Sequence, residues 1–283
     1  MAVFKPFKSI GIGVAFSPNM KANLYEAARL SLFFNARLYL IHVGKYEEEK
    51  HTIIQDILKS FLKDGLDYEI VFKDGNPVDV ILSATKSNNI DLLILGALKR
   101  EGIFKYYVGS IARKITRKAK CSILLLIKPS VQRVPSEHIV VNGLKDPKTE
   151  QTITAAFYVA NKLQAKKITI VEEINTSQVG VTVEDHKSLR RFRIKKERLR
   201  MREDSRIKEV ISHIPEEYTK NMTVKLQPIF GKRGYSIGHY AQVSRADLLV
   251  MNGPSKMTFW DRLFPHDIEY ILTELPTDVL ILQ

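Results

Sequence analysis

Short apolar runs alternate along the chain with segments whose apolar residues recur every three or four positions, and this alternation constrains the fold more than any other feature. In HTIIQDILKSFLKDG, for example, six apolar residues fall on one face of a helix. Neighbouring parallel strands need a crossover connection, which is usually a helix. The pattern therefore predicts an α/β protein with parallel sheets. The ten predicted strands span residues 10–15, 37–43, 68–72, 92–95, 123–127, 139–141, 168–171, 224–229, 248–251 and 279–282.

The alternation occurs twice, which predicts a duplicated domain. DLLILG at residues 91–96 matches DLLVMN at 247–252, and 32 positions separate Asp91 from Ile123 and Asp247 from Val279 alike. Residues 129–136 contain two prolines and show no periodicity, as expected of a linker. We therefore predict a first domain at 1–128, a linker at 129–136 and a second domain at 137–283. The chain of 283 residues is long enough for both.

The first half resembles the universal stress protein family. The resemblance rests on the opening strand and turn SIGIGVAFSPN, the second strand ending in LIHV, the segment DGNPVDVIL before the third helix, and DLLILG with the glycine loop after it. The whole chain resembles a tandem member, and in the second half the likeness rests on the segment from Asp247 onward and on strand order. The resemblance implies two tandem open parallel five-stranded sheets with flanking helices, Rossmann-like, in strand order 3-2-1-4-5.

The glycine loop of the first half departs from the family's ATP-binding pattern, which is glycine, two residues, glycine, nine residues, glycine and serine or threonine. This chain has Gly96, Lys99, Gly109 and Ser110 at those positions. A side chain in such a loop hinders close approach of the backbone to phosphate oxygens. Lys99 has two interpretations: a cation that pairs with a phosphate, or a solvated lysine in a turn.

A second departure lies at the end of the first strand, where ATP-binding members usually carry an aspartate and this chain has Ala15 or Phe16. Val43 could still offer backbone atoms to an adenine. The resemblance thus implies a degenerate site, for which no cofactor is expected, and ATP in the first domain remains an alternative. The candidate binding residues are Val43, Gly96, Lys99, Gly109 and Ser110.

The second half has lost the loop pattern, so we predict no nucleotide site there. In PHDIEYILTEL, Asp267 and Glu269 fall in the first helical turn, where carboxylates complement the helix dipole. The protein thereby places its own anions where phosphates would bind. The positions equivalent to the four loop residues are Asn252, Ser255, Pro265 and His266.

The composition argues against several classes of protein. The single cysteine, Cys121, excludes an intramolecular disulfide and a multi-cysteine metal site, and we expect an inert thiol. The seven histidines show no metal-ligand spacing, so no metal is expected. No nucleophile elbow or hydrolytic triad is readable, so we expect no enzyme and no catalytic residues. Every apolar run is far shorter than the roughly 20 residues that span a bilayer, which favours a cytoplasmic protein.

The formal net charge of +13 comes largely from KSLRRFRIKKERLRMR, the segment from Lys187 to Arg202, which has nine Lys or Arg residues and one acid. Its apolar residues have helical spacing, so we predict an amphipathic helix with its cations facing solvent. Nucleic acid or another anionic surface could instead bind there, and this alternative stays open.

These features together favour a stress-linked regulatory or adaptor protein that acts by binding an unknown protein partner. The alternative is an adenine-nucleotide sensor or weak ATPase that uses the first domain. The last strands of the two halves, 123–127 and 279–282, would be exposed edges, so we predict that they pair within one chain as an intramolecular pseudo-dimer. The apolar loop PSKMTFWDRLF at 254–264 is expected either to pack within the protein or to bind a partner.

Overall fold

The computed structural model describes residues 4–99, 106–231, 234–253 and 267–283. The chain forms two compact units. The N-terminal unit consists mainly of Lys5–Pro135 together with Leu272–Gln283, and the C-terminal unit mainly of residues 136–252. The predicted loop at 254–264, with Pro265 and His266, lies outside the described residues.

Strands and helices alternate through both units, as the apolar pattern predicts. The strands are β1 Ser9–Val14, β2 Arg37–Val43, β3 Tyr68–Lys73, β4 Leu92–Gly96, β5 Leu98–Lys99, β6 Tyr106–Tyr107, β7 Ser122–Leu126, β8 His138–Asn142, β9 Lys167–Asn175, β10 Thr223–Gly231, β11 Leu248–Asn252 and β12 Asp278–Leu282. The helices are α1 Met20–Phe34, α2 Glu48–Leu62, α3 Pro77–Ser87, α4 Ser110–Lys118, α5 Thr149–Leu163, α6 His186–Ser212, α7 Glu216–Thr219, α8 Tyr235–Val243 and α9 Asp267–Thr273.

The sheet of the N-terminal unit contains five parallel strands in the order β3-β2-β1-β4-β7. The central residue Ile12 lies opposite Leu40 on one side and Ile94 on the other, and all three are at most 2% exposed. Parallel strands are buried on both faces by their crossover helices, which explains their nearly continuous apolar sequences. The predicted strand order 3-2-1-4-5 is confirmed for this half.

The C-terminal unit repeats the arrangement with parallel strands in the order β10-β9-β8-β11. The α/β fold class predicted from the sequence is thereby confirmed. The tenth predicted strand, β12, belongs to the N-terminal unit and runs antiparallel to β7, with Val279 opposite Leu125 and Ile281 opposite Ile123. These are the two strands whose pairing the sequence predicts. Because β12 pairs with β7, the edge of β7 that faces it is covered.

The aspartate that opens each copy of the DLL motif has the same structural role in both units. Asp91 accepts hydrogen bonds from the backbone N–H groups of Lys8 and Ser9 at 2.8 and 3.0 Å, at the start of β1. Asp247 accepts from Glu137 and His138 at 2.8 and 2.9 Å, at the start of β8. The repeat in the sequence therefore reflects a repeated link between the fourth and first strands of each half.

The segment predicted as a linker is held against α1. The guanidinium of Arg29 donates to the carbonyl of Ser130 at 3.0 Å, and the N–H of Ser130 donates to Glu26 at 3.1 Å. Arg29 also pairs with Glu26 at 3.1 Å within α1. These bonds satisfy backbone groups of a segment that belongs to neither sheet. No helix in the described ranges is long and apolar enough to cross a membrane.

Candidate functional site

The carboxyl ends of the parallel strands form the candidate site, because open α/β sheets bind ligands where neighbouring connections leave in opposite directions. In the N-terminal unit this point lies between β1, whose chain continues through α1 to β2, and β4, whose chain continues through α4 to β7. Gly96 is the last residue of β4 and Ser110 is the first residue of α4. Both residues are exposed.

Asn23 of α1 faces Gly96 across this point. A Cβ atom at Gly96 would lie 3.5 Å from Oδ1 of Asn23, which leaves space for an atom of a ligand. The Asn23 oxygen is itself buried, and no described residue donates a hydrogen bond to it. A buried amide oxygen without a donor costs free energy, which a ligand N–H or O–H could recover. The sequence alone does not mark Asn23, because only the fold places it beside Gly96.

Gly109 precedes α4 in extended backbone, with φ −61° and ψ 162°, so a glycine is not required there for conformational reasons. A Cβ atom at Gly109 would lie 2.9 Å from the end of the Leu98 side chain. The preceding residue is fixed by the final segment of the chain, since the N–H of Val108 donates to the carbonyl of Leu272 at 3.1 Å. The start of α4 is therefore held in place, and the N–H groups of a first helical turn are suited to bind an anion.

Lys99 lies in a short hairpin that the sequence did not predict. Its strand, β5, pairs antiparallel with β6, and Lys99 is opposite Tyr106. The backbone of Lys99 is thus that of a strand residue, and it is not among the non-glycine residues with positive φ. Leu275 further ties β6 down by donating its N–H to the carbonyl of Tyr106 at 3.0 Å. Whether Lys99 binds a phosphate remains a prediction.

Aromatic side chains fill the region after β1 and β2, where Val43 ends its strand. The ring of Phe16 meets that of His42 edge-on at 5.1 Å, and Phe72 meets His42 at 5.3 Å. His42 Nδ1 lies 3.0 Å from the carbonyl of Val14, and the ammonium of Lys50 lies 5.7 Å from the centre of the Phe16 ring. Where ATP-binding members usually place a carboxylate, this chain therefore presents an aromatic face and a cation.

Gly11, the first glycine of GIGVAF, has a packing role. A Cβ atom at Gly11 would lie 2.7 Å from Cδ1 of Ile90 and 3.3 Å from a methyl group of Leu93. Gly11 therefore lets the core approach the backbone of β1 closely. This agrees with the absence of a third glycine in the sequence, where Phe16 stands instead.

The equivalent point of the C-terminal unit is filled by the protein's own polar groups. Asn252 stands in place of Gly96, and Thr152 is the fourth residue of α5 as Asn23 is of α1. The hydroxyl of Thr152 donates to Oδ1 of Asn252, and the Asn252 amide donates to the hydroxyl of Thr149 at 3.3 Å. In the C-terminal unit, a side-chain hydrogen bond thus joins the two positions that correspond to Asn23 and Gly96.

Carboxylates also occupy helix N-termini in this unit. Glu173, 8% exposed, accepts from the N–H groups of Gly234 and Ile237 at 3.0 and 2.8 Å, at the start of α8. The corresponding helix of the first half, α3, is capped by neutral Asn76, which accepts from Val78 at 3.0 Å. Asp267 and Glu269 fall in the first turn of α9, as predicted. Internal anions at these positions are unfavourable for a phosphate ligand.

Comparison with known proteins agrees with this organisation. A family model described as the universal stress protein family matches residues 44–126. The universal stress protein YxiE of Bacillus subtilis is 21% identical over 83 residues, or 29% of this chain and 56% of that protein. The universal stress protein Sll1388 of Synechocystis is 26% identical over 85 residues, or 30% and 55% of the two chains. The chain contains a universal stress protein domain, matched at residues 44–126.

The fold of such proteins extends over both halves of this chain. A universal stress protein from Archaeoglobus fulgidus superposes with a TM-score of 0.65 at 16% identity, covering 97% of this chain and 98% of that chain. At this identity the likeness shows the fold alone. In sequence, the chain spans about half the length of the two bacterial relatives, 56% and 55%. The tandem organisation predicted from the repeat thus agrees with the fold.

The C-terminal unit also contains a buried carboxylate cluster beneath α6. Glu172 on β9 is 1% exposed, and no described residue donates to either of its oxygens. Burial, together with the charge of Asp204, raises the pKa of Glu172 to about 7. Glu203 differs, because Arg206 and Arg202 donate to it at 2.8 and 3.0 Å and outweigh the effect of burial, which lowers its pKa.

Within the ranges that the structure describes, no group of three or more His, Cys, Asp or Glu side chains could hold a metal ion. Arg206 also donates to the carbonyl of Gly143, the residue that follows β8. The cluster therefore connects α6 to the sheet. The positive charge of Arg206 partly compensates the negative charges of its carboxylates.

Proposed function

We propose that this universal stress protein is a stress-linked regulatory or adaptor protein that acts by binding other molecules. The proposed first domain, 1–128, has a degenerate nucleotide site, and the second, 137–283, has none. The observation that carries this proposal is the difference between the halves at the strand ends. Beside Gly96 the Asn23 oxygen accepts no hydrogen bond from any described residue, whereas Asn252 at the equivalent position accepts one from Thr152.

The N-terminal site fits a nucleotide only in part. Asn23, Gly96 and the start of α4 supply an acceptor, space and N–H donors. Phe16 replaces the carboxylate expected at the end of the first strand, and its ring packs on His42. ATP would therefore bind the first domain weakly and would not be turned over at a useful rate.

Calorimetry of ATP binding to the full chain tests this proposal, with a reciprocal pair of variants. Gly96→Asn introduces into the first domain the side chain that closes the second, and it should abolish binding. The matched change Asn252→Gly should leave binding unchanged. Submicromolar ATP binding to the unaltered chain, or loss of binding in Asn252→Gly, would show that the assignment is wrong.

Lys99→Gly separates the two interpretations of Lys99. If Lys99 pairs with a phosphate, the glycine variant must bind ATP more weakly, because one charge-assisted contact is lost. If the lysine obstructs the loop, the variant must bind more tightly, because the backbone can approach the phosphates. We expect tighter binding.

An adenine-nucleotide sensor or weak ATPase is the second candidate function. It is favoured by the same Asn23 oxygen, to which no residue in the described ranges donates and which a ligand N–H or O–H could therefore satisfy. Phosphate release measured with the full chain and with Asn23→Ala distinguishes it. Turnover that is lost in Asn23→Ala would support the ATPase, and no turnover is expected for the adaptor.

Protein binding is supported by large apolar side chains exposed around the strand ends of the N-terminal unit. Four such residues at one edge of a sheet are more than scattered surface residues usually provide. We also propose that the pairing of β7 with β12 forms the intramolecular pseudo-dimer. The exposed residues are Phe16 at 38%, Tyr46 at 58%, Leu98 at 51% and Ile111 at 46%.

A further inference from the structure

Helix α6 carries a surface that the packing of the C-terminal unit does not use. The helix has 27 residues, all of them described, and buries only Glu203 and Ile207, both near its C-terminal end. Its first half contains the basic segment, and all nine Lys and Arg residues there are exposed. Leu189, Phe192 and Leu199 are half-buried, so the inward face of this half still rests on the protein.

Most of these cations lack a partner within the described chain. Arg200 lies within 4.0 Å of Glu197 and Arg202 within 3.0 Å of Glu203. The ammonium of Lys196 lies 4.6 Å from the centre of the Phe230 ring. The structure shows no ion pair with a described carboxylate for the other six, which are Lys187, Arg190, Arg191, Arg193, Lys195 and Arg198.

The positions of these cations along α6 destabilise the helix itself. Lys187 and Arg190 lie in its first turns, at the positive end of the helix dipole. Lys187 and Arg191 are four residues apart, where like charges repel. The helix nevertheless begins with a well-formed capping box, in which Asp185 accepts from the N–H of Ser188 at 2.6 Å. A local conflict of this kind is typical of a functional surface, because a bound polyanion would remove it.

On the solvent-facing side of α6, apolar and basic side chains follow separate lines along the helix. Ile194 and Met201 are seven residues apart and so lie on one line along the helix, where they are 45% and 61% exposed. Lys187, seven residues before Ile194, continues this line, while Arg191 and Arg198 follow one side of it and Arg190 and Arg193 the other. An exposed apolar ridge is thus flanked on both sides by cations without described partners.

We propose that this face of α6 binds double-stranded DNA in the major groove. A helix of about 10–12 Å diameter fits a groove of about 12 Å, where the flanking cations would reach the phosphates of both walls. Ile194 and Met201 would face the base edges, where apolar side chains meet thymine methyl groups. Five phosphate contacts are available, through Lys187, Arg190, Arg191, Arg193 and Arg198.

Other polyanions fit the same face less well. The major groove of duplex RNA is too deep and narrow for side chains to enter from a helix. Single strands are usually held by aromatic stacking, and the aromatic residue of the segment, Phe192, is on the half-buried face. Interfacial membrane helices bury a broad apolar face, whereas Ile194 and Met201 offer two side chains.

The test measures fluorescence anisotropy of a labelled duplex DNA of about 20 base pairs with the full chain, as a function of salt. Five contacts predict a slope of about −4.5 in log K against log salt, or a roughly 500-fold weaker affinity between about 50 and 200 mM salt. Duplex RNA, single-stranded DNA and vesicles of anionic phospholipid are tested alongside. The duplex DNA should bind most tightly.

The deciding variant replaces Lys187, Arg191 and Arg198 by glutamine. It should reduce the slope by about 2.7, because each contact contributes about 0.9. A matched control replaces three exposed lysines of the N-terminal unit, Lys59, Lys63 and Lys86, and should leave the slope unchanged. Arg191→Lys with Arg198→Lys retains the charges and should also keep the slope, and circular dichroism checks that α6 persists in all variants.

The proposal is overturned if the full chain does not bind duplex DNA at about 50 mM salt. Equal losses in the deciding and control variants would also overturn it, because they would indicate binding through net charge alone. Tighter binding of vesicles, duplex RNA or single strands than of duplex DNA would assign the face to another partner.

Discussion

Replacing Glu172 by glutamine tests whether one buried carboxyl makes the stability of the C-terminal unit depend on pH. The groups that face Glu172 are those of α6: burial and Asp204 raise its pKa, Arg206 lowers it, and Glu203 raises it further. The pKa rises from 4.5 to about 7. The folded protein therefore holds the Glu172 proton more tightly than the unfolded chain does.

The sign of the pH dependence follows from this difference. The stabilisation is fully present below the unfolded pKa of 4.5, and it is lost as the pH rises through the folded value of about 7. One unit of pKa corresponds to about 1.4 kcal/mol, so the loss at alkaline pH is about 3 kcal/mol. Glutamine has nearly the same shape and cannot ionise, so Glu172→Gln should lack this loss.

Hydrogen exchange of the backbone amides of β9 and α6, measured from about pH 5 to pH 9 and corrected for the intrinsic rate, reports the local free energy of opening. In the unaltered chain this free energy should fall by about 3 kcal/mol more than in Glu172→Gln. Glu209→Gln, which removes an exposed glutamate of the same helix, is the matched control and should retain the dependence. Identical pH profiles for Glu172→Gln and the unaltered chain would refute the reasoning.

Two further predictions concern the N-terminal unit. Burial raises the pKa of Cys121 to about 11, so its thiol is almost entirely protonated at pH 8. The folded protein should therefore react with a disulfide reagent far more slowly than the chain unfolded in guanidinium. Equal rates would contradict the prediction of an inert thiol. A chain that ends at Thr277 lacks β12, so the edge of β7 that pairs with it is exposed. This truncated chain should self-associate, as measured by light scattering. A stable monomer would show that β12 does not protect this edge.

The central strands were predictable because they are buried on both faces. All ten predicted runs are strands in the structure, with bounds shifted by a few residues, and the residues of β7 are buried throughout. The central runs are nearly continuous in apolar residues, so a single sequence marks them clearly. The edge strands β3 and β10 are only partly buried, and their runs contain Glu69, Lys225 and Gln227. The strand order followed from the family resemblance rather than from the runs themselves.

The candidate site was predictable only in part, because its geometry depends on contacts between distant residues. Gly96 and Asn23 are far apart in sequence, and nothing near Asn23 marks it as a residue of the strand ends. The β5–β6 hairpin was missed because each strand has two residues, too few for a periodic pattern. Glu172 was missed for a related reason, since its burial depends on α6 covering β9.

The two halves differ at the strand ends but not at the strand starts, and physical chemistry explains the contrast. Asp91 and Asp247 satisfy backbone N–H groups that exist whether or not a ligand binds, so both halves need them. At the carboxyl ends, a polar group that loses its ligand must find another partner or remain unsatisfied. The Asn252 oxygen accepts a hydrogen bond from Thr152, whereas the Asn23 oxygen accepts none from the described residues. A ligand therefore has more free energy to gain in the first half than in the second.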